Sequence, residues 1–432
     1  MSKSRKKSGF SGRRTRRSRH HADIHESQGD GVAPIPSELP MVPRQQPEFI
    51  VEMSALEQLV EHVRSVGSFA FDTEFIGEET YYPRICLLQV ATTEQIALVD
   101  PLVLEDESPI WELVADESIE TIVHAGEQDV EPTRRLIQRE PANIIDIQVA
   151  AAFSNMPYPS GLGKIIEHLT GHVIGKAHTF TDWDARPLSE SQLRYAADDV
   201  RFLPLCWSLL RKTLEGDGRV EWARRRCDEV LLSARTFDPE PHMRRILRGH
   251  HFKKRKLSLL REMVLLRNEI ARELDRPHKI VMSDETVFEI VRSSPRSKDD
   301  LMDVPQLPRR LRIDFGDRIL ALTSIASDLP PHPGLVGGKS EETASQRMQI
   351  DALWSVFSTR CLAMGIAPGM IMSRSKLGGW YRGRLNDPDL PVFDADDWRS
   401  EAAGDWLREF VAGRAGVDIR WTGDGPTTDR IN

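Results

Sequence analysis

The stretch Phe69-Ala-Phe-Asp72-Thr-Glu74-Phe75 constrains this chain more than any other. Apolar residues flank two carboxylates spaced i, i+2, and in a β-strand that spacing puts Asp72 and Glu74 on one face. Two unit charges ~4 Å apart repel by roughly 4 kcal/mol at an effective dielectric near 20. A strand that sets two acids beside large aromatic groups is therefore either a solvated edge or a surface awaiting a cation. Taken alone it leaves both readings open. Three further acidic stretches bear on the choice.

The 432 residues exceed one ordinary core and call for two to four domains. The net charge of −8 hides a polarised distribution. Lys3, Arg5, Lys6, Lys7, Arg13, Arg14, Arg16, Arg17 and Arg19 crowd one end with no acid among them. Residues 1–46 are polar, lack apolar periodicity and read as a disordered basic tail, either an arm for RNA or a solubilising segment. Order is expected from Phe49. Cys86, Cys206, Cys227 and Cys361 lie far apart, without metal-ligand or CxxC spacing, and read as reduced structural thiols. No apolar run is long enough to cross a membrane. No apolar core follows the paired arginines as a secretion signal would require. A cytoplasmic protein with no membrane partner is the expectation.

From Phe49 the pattern alternates between helix and strand. Ser54-Ala-Leu-Glu57 has the form of a capping box opening a helix through about Arg64. The Asp72 strand follows, and Arg84–Ala91 and Gln95–Val99 continue it as an antiparallel meander. A helix near Pro109–Ala115, a strand at Thr121–His124, a helix from Glu127 to about Gln138 and a strand near Ile144 predict a mixed α/β domain. In the second acidic stretch, Val123-His-Ala-Gly-Glu-Gln-Asp129, Asp129 falls in the first helical turn, where the helix dipole favours a carboxylate with or without chemistry. Asp146 reads as an N-cap or supporting residue. Gly161–Leu169 is a short helix. Ser189 caps the last stretch, in which Tyr195 and Asp199 share one helical face at i, i+4 and Asp198 faces elsewhere.

Together these stretches resemble the DEDD exonuclease superfamily, in its tyrosine subclass and specifically its ribonuclease D branch. Phe71-Asp72-Thr-Glu74-Phe75, His124-Ala-Gly-x-x-Asp129 and Tyr195-x-x-x-Asp199 match its three motifs in order and spacing. Thr80-Tyr-Tyr-Pro83, Leu87-Leu-Gln89, Asp182-Trp183 and Arg186-Pro-Leu-Ser189 are similar to the same family. Phe180 departs from it, standing where a basic residue is common. The resemblance implies an RNase H-like exonuclease domain over residues 47–235, a mixed sheet flanked by helices. It implies Asp72, Glu74, Asp129 and Asp199 as ligands of two divalent cations, Mg²⁺ or Mn²⁺, with Tyr195 orienting the attacking water. It further implies 3′→5′ hydrolysis of RNA, with tRNA precursors bearing single-stranded 3′ ends as the usual substrate. A DNA-directed exonuclease of the same superfamily and an inactive RNA-binding scaffold are the alternatives. The absence of a GxxxxGK[ST] motor loop counts against the first, and the presence of all five side chains against the second.

The remainder reads as helical. Residues 245–328 resemble the HRDC domain, a nucleic-acid-binding module, with Leu257–Leu274 as an amphipathic helix and Lys253–Lys256 as a basic cluster suited to RNA. Residues 329–346, rich in Pro, Gly and charge, read as a linker. In 347–432, Met370-Ile-Met-Ser373 echoes Ile280-Val-Met-Ser283 and Met364 echoes Leu274, which suggests a second HRDC-like bundle. Trp354, Trp380, Tyr381, Trp398 and Trp406 read as its core.

Overall fold

A computed structural model describes residues 36, 39–77, 79–174, 182–234, 237–332, 342–422 and 425–428. The chain opens with β1 (Glu48–Ile50), α1 (Met53–Val66), β2 (Ser68–Ile76), β3 (Arg84–Ala91), β4 (Ile96–Val99), α2 (Ser108–Val114) and β5 (Glu120–Val123). It continues through α3 (Glu127–Val130), α4 (Pro132–Ile137), β6 (Ile144–Asp146), α5 (Ile147–Ala152), α6 (Leu162–Thr170), α7 (Glu190–Arg201), α8 (Leu203–Gly216) and α9 (Val220–Ala234). The sheet order is β1-β4-β3-β2-β5-β6. β2, β3 and β4 form the expected antiparallel meander, while β1 pairs with β4 and β5 with β2 and β6 in parallel. This is the mixed sheet flanked by helices that the sequence predicts. Phe69 and Phe71 are buried with Trp111 of α2 on one face of β2. Helix α7 packs across β2, β3 and β4.

Local readings need correction at four places. Ser54 is not a cap: α1 starts earlier, with Glu52 at the N-cap and no side-chain cap bond. The helix expected from Glu127 to Gln138 is broken into α3 and α4, with Pro132 opening the second piece because it cannot donate within a helix. The tail expected through residue 46 is packed from Leu39 onward. Val42 is buried in the core, and the carbonyls of Pro43 and Gln45 accept from Arg201. The rest of the tail, residues 1–35, 37 and 38, lies outside the described residues, as does Phe180. At the predicted linker, Leu329 packs on the second core and the carbonyl of Pro330 accepts from Ser258.

A second core, centred on Leu260, Val264 and Ile290, belongs to α10 (Pro239–Leu247), α11 (Lys254–Glu273), α12 (His278–Val281), α13 (Asp284–Ser293), α14 (Lys298–Met302), α15 (Arg309–Asp314) and α16 (Gly316–Ser324). The next helices repeat its opening at an offset of 90 residues: α17 (Ala344–Ala363), α18 (Pro368–Ile371) and α19 (Arg374–Arg384) start where α11, α12 and α13 would. Ser283 and Ser373 cap the third helix of each set, each after an extended methionine, Met282 or Met372. The later set shares its core with the sheet domain rather than standing apart. Phe153 of the sheet domain meets Trp398 at 5.3 Å, and the Ala367 amide donates to the Ala152 carbonyl. A π-helical turn at Ser400–Gly404, α20 (Asp405–Val411) and an unforeseen hairpin, β7 (Ile419–Thr422) with β8 (Gly425–Thr428), complete the described chain.

Candidate active site

In β2, Asp72 lies opposite Gln89 and Glu74 opposite Leu87, so both acids share the face that α7 covers. A register shift follows between Glu74 and Phe75, after which pairing resumes with Phe75 opposite Ile85. Between the two acids on β2, Thr73 donates its hydroxyl to Asp129 Oδ1 at 2.5 Å, and Asp129 also meets the Asp72 carboxyl. Asp129 is carried there by the turn after β5. Ala125 holds a positive φ of 54°, and a Cβ at Gly126 would stand 2.5 Å from the Val123 side chain. Only glycine fits that approach. Asp146 fixes the turn, accepting from the Ala125 amide at 3.0 Å and, as N-cap of α5, from the Gln148 amide at 2.8 Å. Its sequence reading as a cap holds, and its second bond explains why the turn keeps its strained shape.

Helix α7 brings the remaining two residues. Ser189 and Gln192 form a full capping box that fixes its start. Tyr195 donates to Asp199 on the face toward β2, whereas Asp198 turns away to accept from Arg201 at 2.9 Å. The loop before α7 is pinned by Arg186, whose guanidinium grips buried Asp100 through two bonds and donates to the carbonyls of Cys86 and Trp183. This pin sets the Trp183 ring 6.1 Å from Tyr195.

The five residues form one electrostatic unit. Burial and then the charges of Asp129 and Asp199 push Asp72 well above the carboxylate range. Burial and then Asp199 and Asp129 push Glu74 up to about 8. Burial raises Asp199 to about 7 against the hydrogen bond from Tyr195. Burial also raises Asp129, which shares a hydrogen bond with the Asp72 carboxyl. Tyr195 is raised as well, by burial and the neighbouring carboxylates. A site that resists holding its own negative charges is one that a divalent cation relieves. The donors are hard carboxylate oxygens, which suit Mg²⁺ or Mn²⁺. Among the described residues no three His, Cys, Asp or Glu side chains already close around one point. The acids thus form a mutually repelling cluster rather than a finished cage.

Sequence reasoning passed over Thr73, Arg186 as the loop's anchor, and the role of Gln89. Gln89 is fully buried beside the acids and approaches Glu74 without reaching a hydrogen bond of ordinary geometry. Its place opposite Asp72 was legible once the meander's register was known. In the basic cluster at 253–256, the structure engages one member within the fold. Lys256 donates to the carbonyls of Val291 and Arg292 and to Ser294 Oγ, closing the C-terminus of α13.

The 3′-5′ exonuclease family model matches residues 47–215, and the HRDC domain model matches residues 256–323. The ribonuclease D of Gluconacetobacter diazotrophicus is 32% identical over 390 residues, covering 89% of this chain and 97% of that one. The ribonuclease D of Escherichia coli K12 is 30% identical over 376 residues, covering 84% and 98%. The crystal structure of Escherichia coli RNase D, described as an exoribonuclease involved in structured RNA processing, superposes with a TM-score of 0.68. It is 28% identical over 86% of this chain and 100% of that one.

Proposed function

The chain belongs to the ribonuclease D family of 3′→5′ exoribonucleases, and from that premise we propose that Asp72, Glu74, Asp129 and Asp199 hold two divalent cations, Mg²⁺ or Mn²⁺, at which nucleoside 5′-monophosphates are released from single-stranded RNA 3′ ends. The observation that carries the reading is the meeting of β2, α3 and α7 at one buried acidic cluster. When bound, a cation pair supplies an activated water and stabilises the charge on the leaving 3′-oxygen. Hydrolysis there would break the last P–O3′ bond, with water giving its oxygen to the released 5′-monophosphate and a proton to the 3′-hydroxyl left on the shortened RNA. Tyr195 keeps its proton throughout the physiological range, so it acts as a hydrogen-bonding positioner and not as the base. Trp183 and the Arg186 anchor hold the phenol in place.

The cellular substrate in this reading is the 3′ trailer of tRNA precursors. Residues 245–328 serve as the HRDC module. Residues 347–432 serve as a second, degenerate one, which the 90-residue repeat of helix starts supports. The test is incubation of 3′-labelled RNA and matched DNA with Mg²⁺, Mn²⁺ or EDTA. Stepwise mononucleotide release from RNA, dependent on metal, is expected. Binding without release in every metal would overturn the proposed site chemistry.

A further inference from the structure

Beside the acidic cluster, a cleft of about 460 Å³ separates the sheet domain from α11 and α12. That size suits one nucleotide-sized group. Its floor begins at Thr73 and Phe75, which alternate with Asp72 and Glu74 along β2, and at Gln128, which adjoins Asp129. It meets the acidic cluster at Thr73, whose hydroxyl bonds Asp129.

The walls come from both domains. Tyr82, on the loop between β2 and β3, presents a ring with the Arg135 guanidinium 4.9 Å above it. Arg272 of α11 donates to the Tyr82 hydroxyl. Phe237 and His278 stack at 5.3 Å on the far side. Burial and then the nearby Arg267 hold His278 down at about 4, so at neutral pH it is an aromatic wall and not a cation. The charged groups lining the cleft are thus Arg135, Arg272 and Glu131. Arg135 Nε is buried yet has no hydrogen-bond partner among the described residues. A buried guanidinium donor without an acceptor costs free energy unless something occupies the space before it.

Aromatic rings interleaved with arginines recognise single-stranded nucleic acid, the rings by stacking on bases and the guanidiniums by meeting phosphates. Glu131 adds an acceptor for a base amino group or a ribose hydroxyl. We infer that this interdomain cleft is a subsite for a nucleotide upstream of the terminal two in the RNA strand, gripping its base against Tyr82 and its phosphate with Arg135 and Arg272. The inference rests on the exoribonuclease reading of the neighbouring acids.

Two features of the cleft make it a built site and not a seam. The Tyr81 hydroxyl and His278 Nε2 both meet Asn268 Oδ1, at 2.9 and 2.8 Å. The amides of Tyr81 and Tyr82 both donate to Asp275 Oδ1. The tyrosine loop is thereby fixed to α11, and its aromatic wall is preorganised.

The test compares kcat/KM on a dinucleotide, too short to reach the cleft, with that on a hexanucleotide, in the full-length enzyme. Wild type should favour the hexanucleotide. In Arg272→Ala, at the exposed rim, and in Tyr82→Leu, that preference should fall about 10-fold, the scale of one lost stacking or phosphate contact. For Arg272→Ala the log–log salt dependence on the hexanucleotide should also flatten by about 0.7, the share of one single-strand phosphate. Dinucleotide turnover by each variant reports a folded catalytic domain. Equal losses on both substrates, or no length preference in wild type, would overturn the subsite. Failure of wild type to cleave either oligonucleotide would instead remove the exonuclease reading beneath it.

Discussion

The Thr73 hydroxyl donates to Asp129 across 2.5 Å and so ties β2 to α3 between two of the four clustered acids. Groups that hydrogen-bond a metal-binding carboxylate fix its orientation, and their loss commonly costs 10- to 100-fold in metal affinity or activity. Thr73→Val, which keeps the shape and removes the hydroxyl, should raise the Mn²⁺ concentration for half-maximal cleavage by roughly 10-fold. Thr73→Ser should restore it. A metal titration of RNA degradation checks both.

Asp72→Asn and Asp199→Asn should each lower hydrolysis by at least roughly 10²-fold, the scale of removing one electrostatic group aimed at the transition state. Each should also melt at a higher temperature than wild type in EDTA. One member of a buried, mutually repelling set is gone, and an amide costs less to bury than a carboxylate. Thermal melts beside cleavage assays separate loss of chemistry from loss of fold.

Without metal, stability should fall as pH rises. Burial lifts Glu74 to about 8 and Asp199 to about 7, above their ordinary values of 4.5 and 3.8. The folded state therefore binds protons more tightly than the unfolded chain between about pH 4 and pH 8, and unfolding there releases them. The stabilisation is complete below the unfolded values and is lost as pH climbs through the folded ones. Melting temperatures in EDTA should decline across that window. With saturating Mg²⁺ or Mn²⁺ the decline should flatten, because the cations replace the protons.

Arg186→Ala should destabilise the enzyme by about 3 kcal/mol, since it leaves Asp100 buried and without its ion-pair partner. It should also lower kcat more than it raises KM, because the loop that sets Trp183 against Tyr195 loses its anchor. Urea unfolding and steady-state kinetics on one RNA oligonucleotide test the two halves.

Lys256→Met should cost about 1.5 kcal/mol of stability, the low end for hydrogen bonds from a charged group, by uncapping α13. The salt dependence of RNA binding should stay unchanged. A flatter slope would mean that this lysine reaches phosphate after all.

The sequence determined the secondary-structure alternation, the meander and the pairings of Asp72 with Glu74 and of Tyr195 with Asp199, while the grouping of these four with Asp129 was what the family resemblance implied. Alternation and pairing are short-range matters: strand alternation puts Asp72 and Glu74 on one face, and helical spacing puts Tyr195 over Asp199. Turn chemistry was half legible, since the glycine at 126 announced a tight turn but not that Asp146 would fix it. What only the tertiary structure decided depends on partners far away along the chain. The Arg186 grip on Asp100, the capping duty of Lys256 and the cleft between Tyr82 and Arg272 join residues 35 to 190 positions apart. No periodicity records such pairs, because the choice among distant partners is made by how packed elements exclude water and satisfy one another's buried polar groups.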